Sequence, residues 1–270
     1  MSSLLITSPS NQIIKDLVKL KNRKGDRVCR SFVVEGAREI ERALGQGFFL
    51  EDFFVCPALL TEQTSVIIGK LSKARTTTLS KEAFSKVATR ESTDGVLGVF
   101  THREFTFEDI LKRAGQNAPF VLVLENLEKP GNLGAILRTA DGCGVHGVVI
   151  LGKDIDLWNP NVIRSSLGGV FSVPTLYCPD QELFFAWCAR NNIKLVAAVL
   201  SAVSAPIYDE KLSGPIAVAL GSEAHGLSQT LLAKIDRPVI IPMQGICDSL
   251  NVSVAGGIFM YEVLRQRHQH

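Results

Sequence analysis

The sequence has no cysteine pattern of the kind that a zinc site or a disulfide framework needs. Its six cysteines are scattered along 270 residues, and none forms a C-x-x-C pair. Structural zinc sites use closely spaced cysteines and histidines, and disulfide-stapled domains are short and rich in cysteine. We therefore expect reduced thiols, no metal site and a fold that depends on its hydrophobic core.

A membrane segment is missing as well. No apolar run approaches the roughly 20 residues that cross a bilayer as a helix. The first residues lack the basic-then-apolar order of a secretory signal, and the first 22 contain no arginine, which a transit peptide would favour. These absences predict a cytoplasmic protein without a membrane partner.

Neither sign of charge is in marked excess, since 29 Lys and Arg oppose 27 Asp and Glu. The distribution is uneven, because residues 15–30 hold seven basic side chains and only two aspartates. Such a stretch is either a solvated helix face with its loop or a contact for a polyanion such as nucleic acid. The stretch alone does not decide between the two.

What is present divides into two halves. In the first, residues 13–20 have helical spacing with Ser10 as a possible cap. Strands are predicted at residues 31–35, 53–55 and 95–100, and a helix at 37–44. Residues 101–118 are polar and charged, with one possible helix at 107–114, and mark a join. We predict a smaller N-terminal α/β domain, residues 1–104.

The second half has the pattern of a parallel α/β sheet. Continuous apolar runs, typical of strands buried on both faces, occur at residues 119–124, 148–151, 194–200, 215–220 and 238–241. Helical stretches lie between most of them, as βαβ connections require. We predict a C-terminal parallel-sheet domain, residues 118–270.

Residues 142–147 match G-x-G-x-x-G, but in the reverse of its usual context. The dinucleotide-binding mechanism needs these glycines after a strand and at the start of a helix. Here a helical stretch, 133–140, precedes them and a strand run, 148–151, follows. We interpret them as a helix C-cap with a tight turn.

Three polar segments follow the apolar runs, at the end of the strands where ligands bind in parallel sheets. The first, residues 125–140, has Asn132 as a possible N-cap and Arg138 about two turns into a helix. The second, residues 220–228, has two glycines flanking a short polar stretch. The third, residues 240–257, alternates Ser249, Asn251 and Ser253 with apolar residues where a helix begins. Each segment alone is ordinary loop chemistry.

Together they resemble the SpoU/TrmH family of RNA ribose methyltransferases, within the knotted SPOUT superfamily. Residues 132–140 match N-x-G-x-x-x-R-T-A, residues 221–227 match G-S-E-x-x-G-L, and residues 249–253 match S-L-N-V-S. Residues 159–168 look like a further family element, while Lys129 stands where the family usually has Asp. The resemblance covers the second half and extends more loosely into the first.

The resemblance implies a deep trefoil knot in the C-terminal domain and an N-terminal substrate-binding domain of ribosomal-protein-like α/β fold. It also implies a homodimer through the C-terminal domain, with the helix at 249–265 in the interface. The apolar, close-packing face of that helix would comprise Gly256, Gly257, Phe259, Met260 and Leu264.

The implied cofactor is S-adenosylmethionine, held in a bent form. The loops at 220–227 and 240–251 would cradle its adenine and ribose, largely through backbone groups. The positions carried over to cofactor contact are Leu220, Gly221, Glu223, Gly226, Ile241, Met243, Leu250 and Asn251.

The implied reaction is methylation of a ribose 2′-hydroxyl, without a metal. In the family, the position of Arg138 is assigned to activation of that hydroxyl. A guanidinium stays protonated to above about pH 12, so we expect Arg138 to bind a nearby phosphate and lower the pKa of the hydroxyl. The proton acceptor is left open. Asn132, Glu223, Ser249 and Asn251 would orient Arg138 and the ribose.

The expected partner is RNA, and ribosomal RNA rather than transfer RNA, because an appended N-terminal domain is more typical of enzymes that modify ribosomal RNA. Phosphate contacts supply most non-specific RNA affinity. The candidate contacts are Lys21, Arg23, Lys24, Arg27 and Arg164. Transfer RNA is the alternative substrate.

Two functions of other classes compete with this one. A non-catalytic RNA-binding protein of the same fold should lack Arg138, Asn251 or the cofactor loops, and all are present. A hydrolase built on Ser222, Asp248 and His225 would need a G-x-S-x-G elbow, which is absent. Calorimetric titration with the cofactor separates both alternatives from a methyltransferase.

Overall fold

The computed structural model describes residues 4–22, 30–62, 64, 68–69, 75–89, 93–153, 155–201, 203–222 and 225–268. The chain forms two compact units. The first comprises Met1–Arg103 with Asp156–Ser172, and the second comprises Glu104–Ile155 with Val173–His270.

The first unit contains a mixed five-stranded sheet. Its strands are β1 (Leu4–Ile6), β2 (Ser31–Glu35), β3 (Leu50–Val55), β4 (Thr76–Leu79) and β5 (Val96–Thr101). They lie in the order β1-β4-β3-β5-β2, with β5 antiparallel to both neighbours and the other pairs parallel. Strand β5 is buried along almost its whole length, as expected for a strand inside the sheet.

Three helices accompany this sheet, namely α1 (Gln12–Lys21), α2 (Ala37–Gly45) and α3 (Lys81–Val87). Helix α1 is capped by Asn11, whose side chain accepts a hydrogen bond from the N–H of Ile13 at 2.9 Å. The prediction that Ser10 caps this helix was therefore wrong by one residue.

A segment distant in sequence also belongs to the first unit. Residues 156–172 carry the short helices α6 (Pro160–Ser166) and α7 (Gly169–Ser172). Within this segment Trp158 stacks on Phe32 of β2, with ring centroids 4.2 Å apart and planes 18° apart. The predicted boundaries place this segment in the C-terminal domain, and the observed packing differs from them here.

The second unit is built on a seven-stranded sheet. Its strands are β6 (Phe120–Glu125), β7 (Gly147–Leu151), β8 (Thr175–Cys178), β9 (Lys194–Ala198), β10 (Ala205–Pro206), β11 (Ile216–Leu220) and β12 (Arg237–Ile240). The order is β10-β12-β9-β11-β6-β7-β8, and every pairing is parallel. The prediction of an α/β fold with a parallel sheet is confirmed, although β8 and β10 were not predicted.

The helices of this unit are α4 (Phe107–Ala114), α5 (Pro130–Gly142), α8 (Gln181–Arg190), α9 (Gln229–Leu232) and α10 (Val252–His268). Helix α5 has Lys129 at its N-cap and Pro130 in its first position, so Asn132 lies inside the helix and does not cap it as predicted. Ser228 caps α9, accepting from the N–H of Leu231 at 3.2 Å.

The glycine-rich turn after α5 has the predicted role. Gly144 has a φ of +66°, and the N–H of Val145 donates to the carbonyl of Ala140 at 2.9 Å. The chain then enters β7 directly. Residues 142–147 therefore end a helix, and no dinucleotide-binding turn is formed.

The last helix, α10, buries the face that was predicted to be available for a dimer. Phe259 and Met260 are fully buried within the unit. A Cβ on Gly256 would lie 2.9 Å from Leu220 Cδ1, so this glycine lets the helix approach β11 closely. The exposed apolar residues of α10 are instead Val254 and Tyr261, at 50% and 57% exposure.

In the described ranges, no helix is both long and apolar enough to cross a membrane. No group of three or more potential metal ligands comes together among the same residues.

Candidate functional site

A cavity of about 630 Å³ lies at the carboxyl ends of β9, β11 and β12 in the second unit. Four chain segments line it, residues 198–200, 220–222, 239–241 and 248–252. Carboxyl ends of neighbouring parallel strands meet at one edge of a sheet, which is why segments so distant in sequence converge. The remaining lining residues are Lys129, Gly226, Met243 and Ala255.

The residues predicted to contact a cofactor converge on this cavity. Those in its lining are Leu220, Gly221, Gly226, Ile241, Met243, Leu250 and Asn251. Glu223 lies outside the described residues. Lys129 and residues 198–200 were not predicted to take part, and Asp248 lies in the predicted loop at 240–251 but was not itself assigned to cofactor contact. The end of the apolar run at 194–200 satisfies the same end-of-strand rule as the other loops.

The loop after β11 is folded tightly on itself. The backbone groups of Ser222 and Gly226 exchange two hydrogen bonds of 3.1 and 3.0 Å. A Cβ on Gly221 would lie 2.2 Å from the carbonyl carbon of Gly226 and 2.6 Å from the nitrogen of Leu227. Only glycine permits this backbone approach, so the cavity wall here is made of main chain.

The first and third motifs are joined by an amide pair. The Asn251 Nδ2 donates to the Asn132 Oδ1 at 3.3 Å, linking α5 to the start of α10. The Asn251 Oδ1 accepts from the N–H and the hydroxyl of Ser253, at 2.9 and 2.6 Å. Ser249 donates its hydroxyl to Asp248 at 3.4 Å. Asn251 is thus oriented from both sides at the cavity edge.

Arg138 is placed differently. It is exposed on α5 and does not line the cavity. Among the described residues its guanidinium has no hydrogen bond or ion pair, which distinguishes it from arginines such as Arg237 and Arg265. A charged group left without a protein partner on the helix that carries Asn132 is available for an external anion.

The residues named for the alternative hydrolase do not form a catalytic triad. The Ser222 hydroxyl oxygen accepts from the backbone N–H of His225 at 3.1 Å. Within the described part of the chain, no hydrogen bond joins this hydroxyl to the imidazole of His225 or to Asp248. The nucleophile–base contact that such catalysis needs is not made.

His146, a histidine of the second unit with a lowered pKa, does not line the cavity. His146 is buried, and its Nδ1 accepts from the N–H of Phe120 at 2.9 Å, at the start of β6. Burial, with the charges of Arg267 and Arg113, lowers the pKa of His146 to about 4. This imidazole is neutral and acts in the sheet as a hydrogen-bond acceptor.

The first unit carries a basic groove on α1 and α3. A depression of about 240 Å³ is lined by Pro9, Ile14, Val18 and Asn22 and by three lysines, Lys15, Lys19 and Lys86. None of these three ammonium groups forms an ion pair or hydrogen bond with a described residue. Lys15 and Lys19 are four residues apart on one helix face, a like-charge arrangement that costs stability.

The predicted RNA contacts have different surroundings. Lys21 is half-buried, and its ammonium donates to the carbonyl of Val87. Burial lowers the pKa of Lys21, against the opposing charge of Glu35. Arg164 is exposed and donates to the Asn161 Oδ1 at 3.2 Å. Arg23, Lys24 and Arg27 lie outside the described residues.

Comparison with known proteins relates both units to RNA-modifying enzymes. Residues 119–261 match the SpoU rRNA Methylase family, and residues 11–98 match the MRM3-like substrate binding domain. An uncharacterised tRNA/rRNA methyltransferase of Synechocystis is 32% identical, over 97% of this chain and 94% of the relative.

Two solved structures agree over nearly the whole length. The crystal structure of an RNA 2′-O ribose methyltransferase is 38% identical with a TM-score of 0.84, covering 98% of this chain and 100% of that one. An AdoMet-bound rRNA methyltransferase from Sinorhizobium meliloti is 27% identical with a TM-score of 0.85, covering 97% of each chain.

Proposed function

The chain belongs to the SpoU rRNA methylase family and is an S-adenosylmethionine-dependent RNA 2′-O-methyltransferase, and from this premise we propose how its own residues perform that reaction on ribosomal RNA. The observation that carries the proposal is the cavity at the sheet edge. Its wall contains segments of the second and third motifs, and the first motif is joined to it through Asn132 and Asn251.

The cavity suits S-adenosylmethionine. Its volume of about 630 Å³ falls within the roughly 300–1,000 Å³ of small-molecule sites. Leu220, Val239 and Leu250 offer apolar walls to an adenine ring, and the close main chain at Gly221 offers backbone groups for polar contacts. Lys129 and Asp248 supply one charge of each sign, which matches the carboxylate and ammonium of the methionine part.

The bound cofactor supplies a methyl group activated by a sulfonium. The protein then has to place the ribose hydroxyl in line with that methyl group and hold the proton that the hydroxyl loses. We assign Arg138 to a phosphate next to the target ribose, where its charge lowers the pKa of the 2′-hydroxyl. Asn251, held by Asn132, orients the ribose at the cavity edge, together with Ser249 and Glu223.

We propose the trefoil knot from the family resemblance together with the strand order. Strand β11 lies between β6 and β9, and the chain after β12 returns to pack α10 against β11 through Gly256. Such a return is compatible with a trefoil path of the residues that form the cofactor loops. We also retain the proposal that residues 1–104 bind the substrate and residues 118–270 carry the chemistry.

The groove of the first unit is the surface that we assign to RNA phosphates. Lys15, Lys19 and Lys86 surround an apolar floor and lack protein partners in the described part of the chain. Exposed Arg164 and the basic residues 23–27 extend the candidate contacts of this unit. Lys21 contributes less to RNA binding than its charge suggested, because its ammonium donates a hydrogen bond to the carbonyl of Val87.

We propose a homodimer through the second unit, with Val254 and Tyr261 of α10 in the interface. These two side chains are exposed and apolar, whereas the glycine-containing face packs inside the unit. Light scattering at micromolar concentration should give a dimer for the wild type and a monomer for Tyr261→Asp. Leu183→Asp, which changes an exposed apolar residue on α8, should remain dimeric. A monomeric wild type contradicts the proposal.

The function is tested by methyl transfer from labelled S-adenosylmethionine. Ribosomal RNA and transfer RNA from cells lacking the gene serve as substrates, and the modified nucleotides are mapped by their resistance to alkaline cleavage. We expect a 2′-O-methylated nucleotide in ribosomal RNA. Methylation of transfer RNA alone would overturn the substrate assignment, and cofactor binding without transfer to either RNA would count against catalysis.

A further inference from the structure

A buried carboxylate with no part in the proposed chemistry lies at the end of β6. Glu125 is 1% exposed. Its oxygens accept from the N–H of Ser228 at 2.6 Å, the hydroxyl of Ser228 at 2.7 Å and the Nε2 of Gln181 at 3.0 Å. A buried carboxylate is costly unless it is hydrogen-bonded in this way, so its partners indicate what it holds.

Two of the three hydrogen bonds go to the residue that ends the loop after β11. That loop leaves the sheet at Gly221, lines the cavity through Ser222 and Gly226, and reaches Ser228 at the N-cap of α9. Strands β6 and β11 are neighbours, with Leu124 opposite Leu220. The loop therefore returns to a carboxylate beside the point where it started.

We infer that Glu125 is a positioning residue for S-adenosylmethionine, which fixes the cofactor loop through Ser228 without touching the cofactor. This inference rests on the proposed role of residues 220–228 in cofactor binding. The Ser222–Gly226 hydrogen bonds fix the conformation of the loop. The Glu125–Ser228 hydrogen bonds fix the position of the loop relative to the sheet. Loosening the pair should let the loop move away from the cavity.

Gln181 provides a matched control. It donates to Glu125 Oε1, the oxygen that also accepts from the Ser228 hydroxyl, but it belongs to α8 and not to the cofactor loop. Ser228→Ala and Gln181→Ala each remove one hydrogen bond from this atom, and Ser228→Ala also removes the N-cap hydrogen bond to the N–H of Leu231. A merely structural carboxylate should respond alike to the loss of either bond, and Glu125→Gln, which keeps the cap, separates the two effects of Ser228→Ala.

The experiment measures cofactor affinity and loop protection in the full chain. Titration calorimetry with S-adenosylmethionine should show a dissociation constant raised about tenfold in Ser228→Ala, in line with loss of a hydrogen bond to a charged group. Gln181→Ala should stay within about twofold of the wild type, and Ser228→Thr should restore binding because it keeps the hydroxyl. Hydrogen exchange without cofactor should be faster at residues 221–227 in Ser228→Ala only.

Glu125→Gln keeps the shape and removes the charge, so it guards against a variant that fails to fold. We expect its affinity to fall and exchange at residues 221–227 to rise, with turnover little changed once cofactor is saturating. Equal effects of Ser228→Ala and Gln181→Ala, or unchanged loop exchange in both Ser228→Ala and Glu125→Gln, would overturn the inference. Failure of the wild type to bind the cofactor would instead refute the proposed function.

Discussion

The cavity of the second unit and the groove of the first unit reach a ligand in different ways. The cavity wall is main chain held at van der Waals distance, as at Gly221, and its side chains are oriented by one another, as Asn251 is by Asn132. The groove presents lysine ammonium groups on an apolar floor, and no ion pair or hydrogen bond with a described residue fixes them. The first arrangement depends on geometry and the second on the number of charges, so substitutions should affect them differently.

The largest effect on the rate of methyl transfer is expected at Arg138, an exposed cation in the second unit. Arg138→Ala should lower the rate of methyl transfer by about 10²–10⁴-fold, the usual range for a group that assists proton removal, and leave cofactor affinity unchanged. Single-turnover rates and calorimetry measure the two quantities. Arg190→Ala, at an exposed arginine on α8, is the control, and full activity of Arg138→Ala would remove the assigned role.

The geometric character of the cavity is tested at Gly221. In Gly221→Ala the new methyl group would overlap the backbone of Gly226 and Leu227. Overpacking of this kind costs about 1–3 kcal/mol, which corresponds to a roughly 5- to 150-fold loss of cofactor affinity. Gly245→Ala adds a methyl group where nothing lies within 4 Å and should bind normally. Equal affinities of the two variants would contradict a wall made by close main chain.

The electrostatic character of the groove is tested by replacing Lys15, Lys19 and Lys86 together with alanine. RNA affinity should fall, and the slope of its logarithm against the logarithm of salt concentration should decrease by about 0.7–0.9 for each lost phosphate contact. Turnover should recover at saturating RNA, because these lysines are assigned to binding the substrate and have no part in the methyl transfer itself. Lys81→Ala, on the same helix as Lys86 but outside the groove, should keep the full slope.

The smallest effect concerns acid stability of the second unit. The pKa of His146 is lowered to about 4 from a usual 6.5, so the unfolded chain takes up a proton at a higher pH than the folded one. The stabilisation is fully present above about pH 6.5 and is lost as the pH falls toward 4. His146→Asn keeps an acceptor for the Phe120 N–H and should flatten the decrease in melting temperature between these values. The control is His225→Asn, at an exposed histidine, which should show the same decrease in melting temperature as the wild type.

Local patterns predicted the elements whose causes are local. The strand at residues 31–35 and the helix at 107–114 have the predicted bounds, because a short apolar run at residues 32–34 and the capping box of Thr106 and Asp109 specify them directly. Strand β8 was missed, since it comprises only four residues at the edge of the sheet. Asn132 was mistaken for a cap, because Pro130 starts the helix two residues earlier.

Features that depend on distant contacts were not predictable in this way. The attachment of residues 156–172 to the first unit rests on aromatic packing such as that of Trp158 on Phe32, which no local pattern contains. The partners of Glu125 are also invisible in sequence, because Ser228 and Gln181 reach it only through the strand order. The three motifs predicted which residues meet at the cavity, but they did not predict the contacts that hold those residues in place.

The strand order also sets the sequence of events during synthesis. Strands β6, β7 and β8 are neighbours in both chain and sheet, and they can pair as they leave the ribosome. Strand β9 pairs only with β11 and β12, both made after it, and the inner edge of β6 stays open until β11 arrives. The nascent protein therefore carries an unpaired apolar strand edge from the synthesis of β6 until that of β11, the kind of surface that chaperones cover. Since three walls of the cavity follow β9, β11 and β12, the ability to hold a small molecule is acquired only after all three strands have been made.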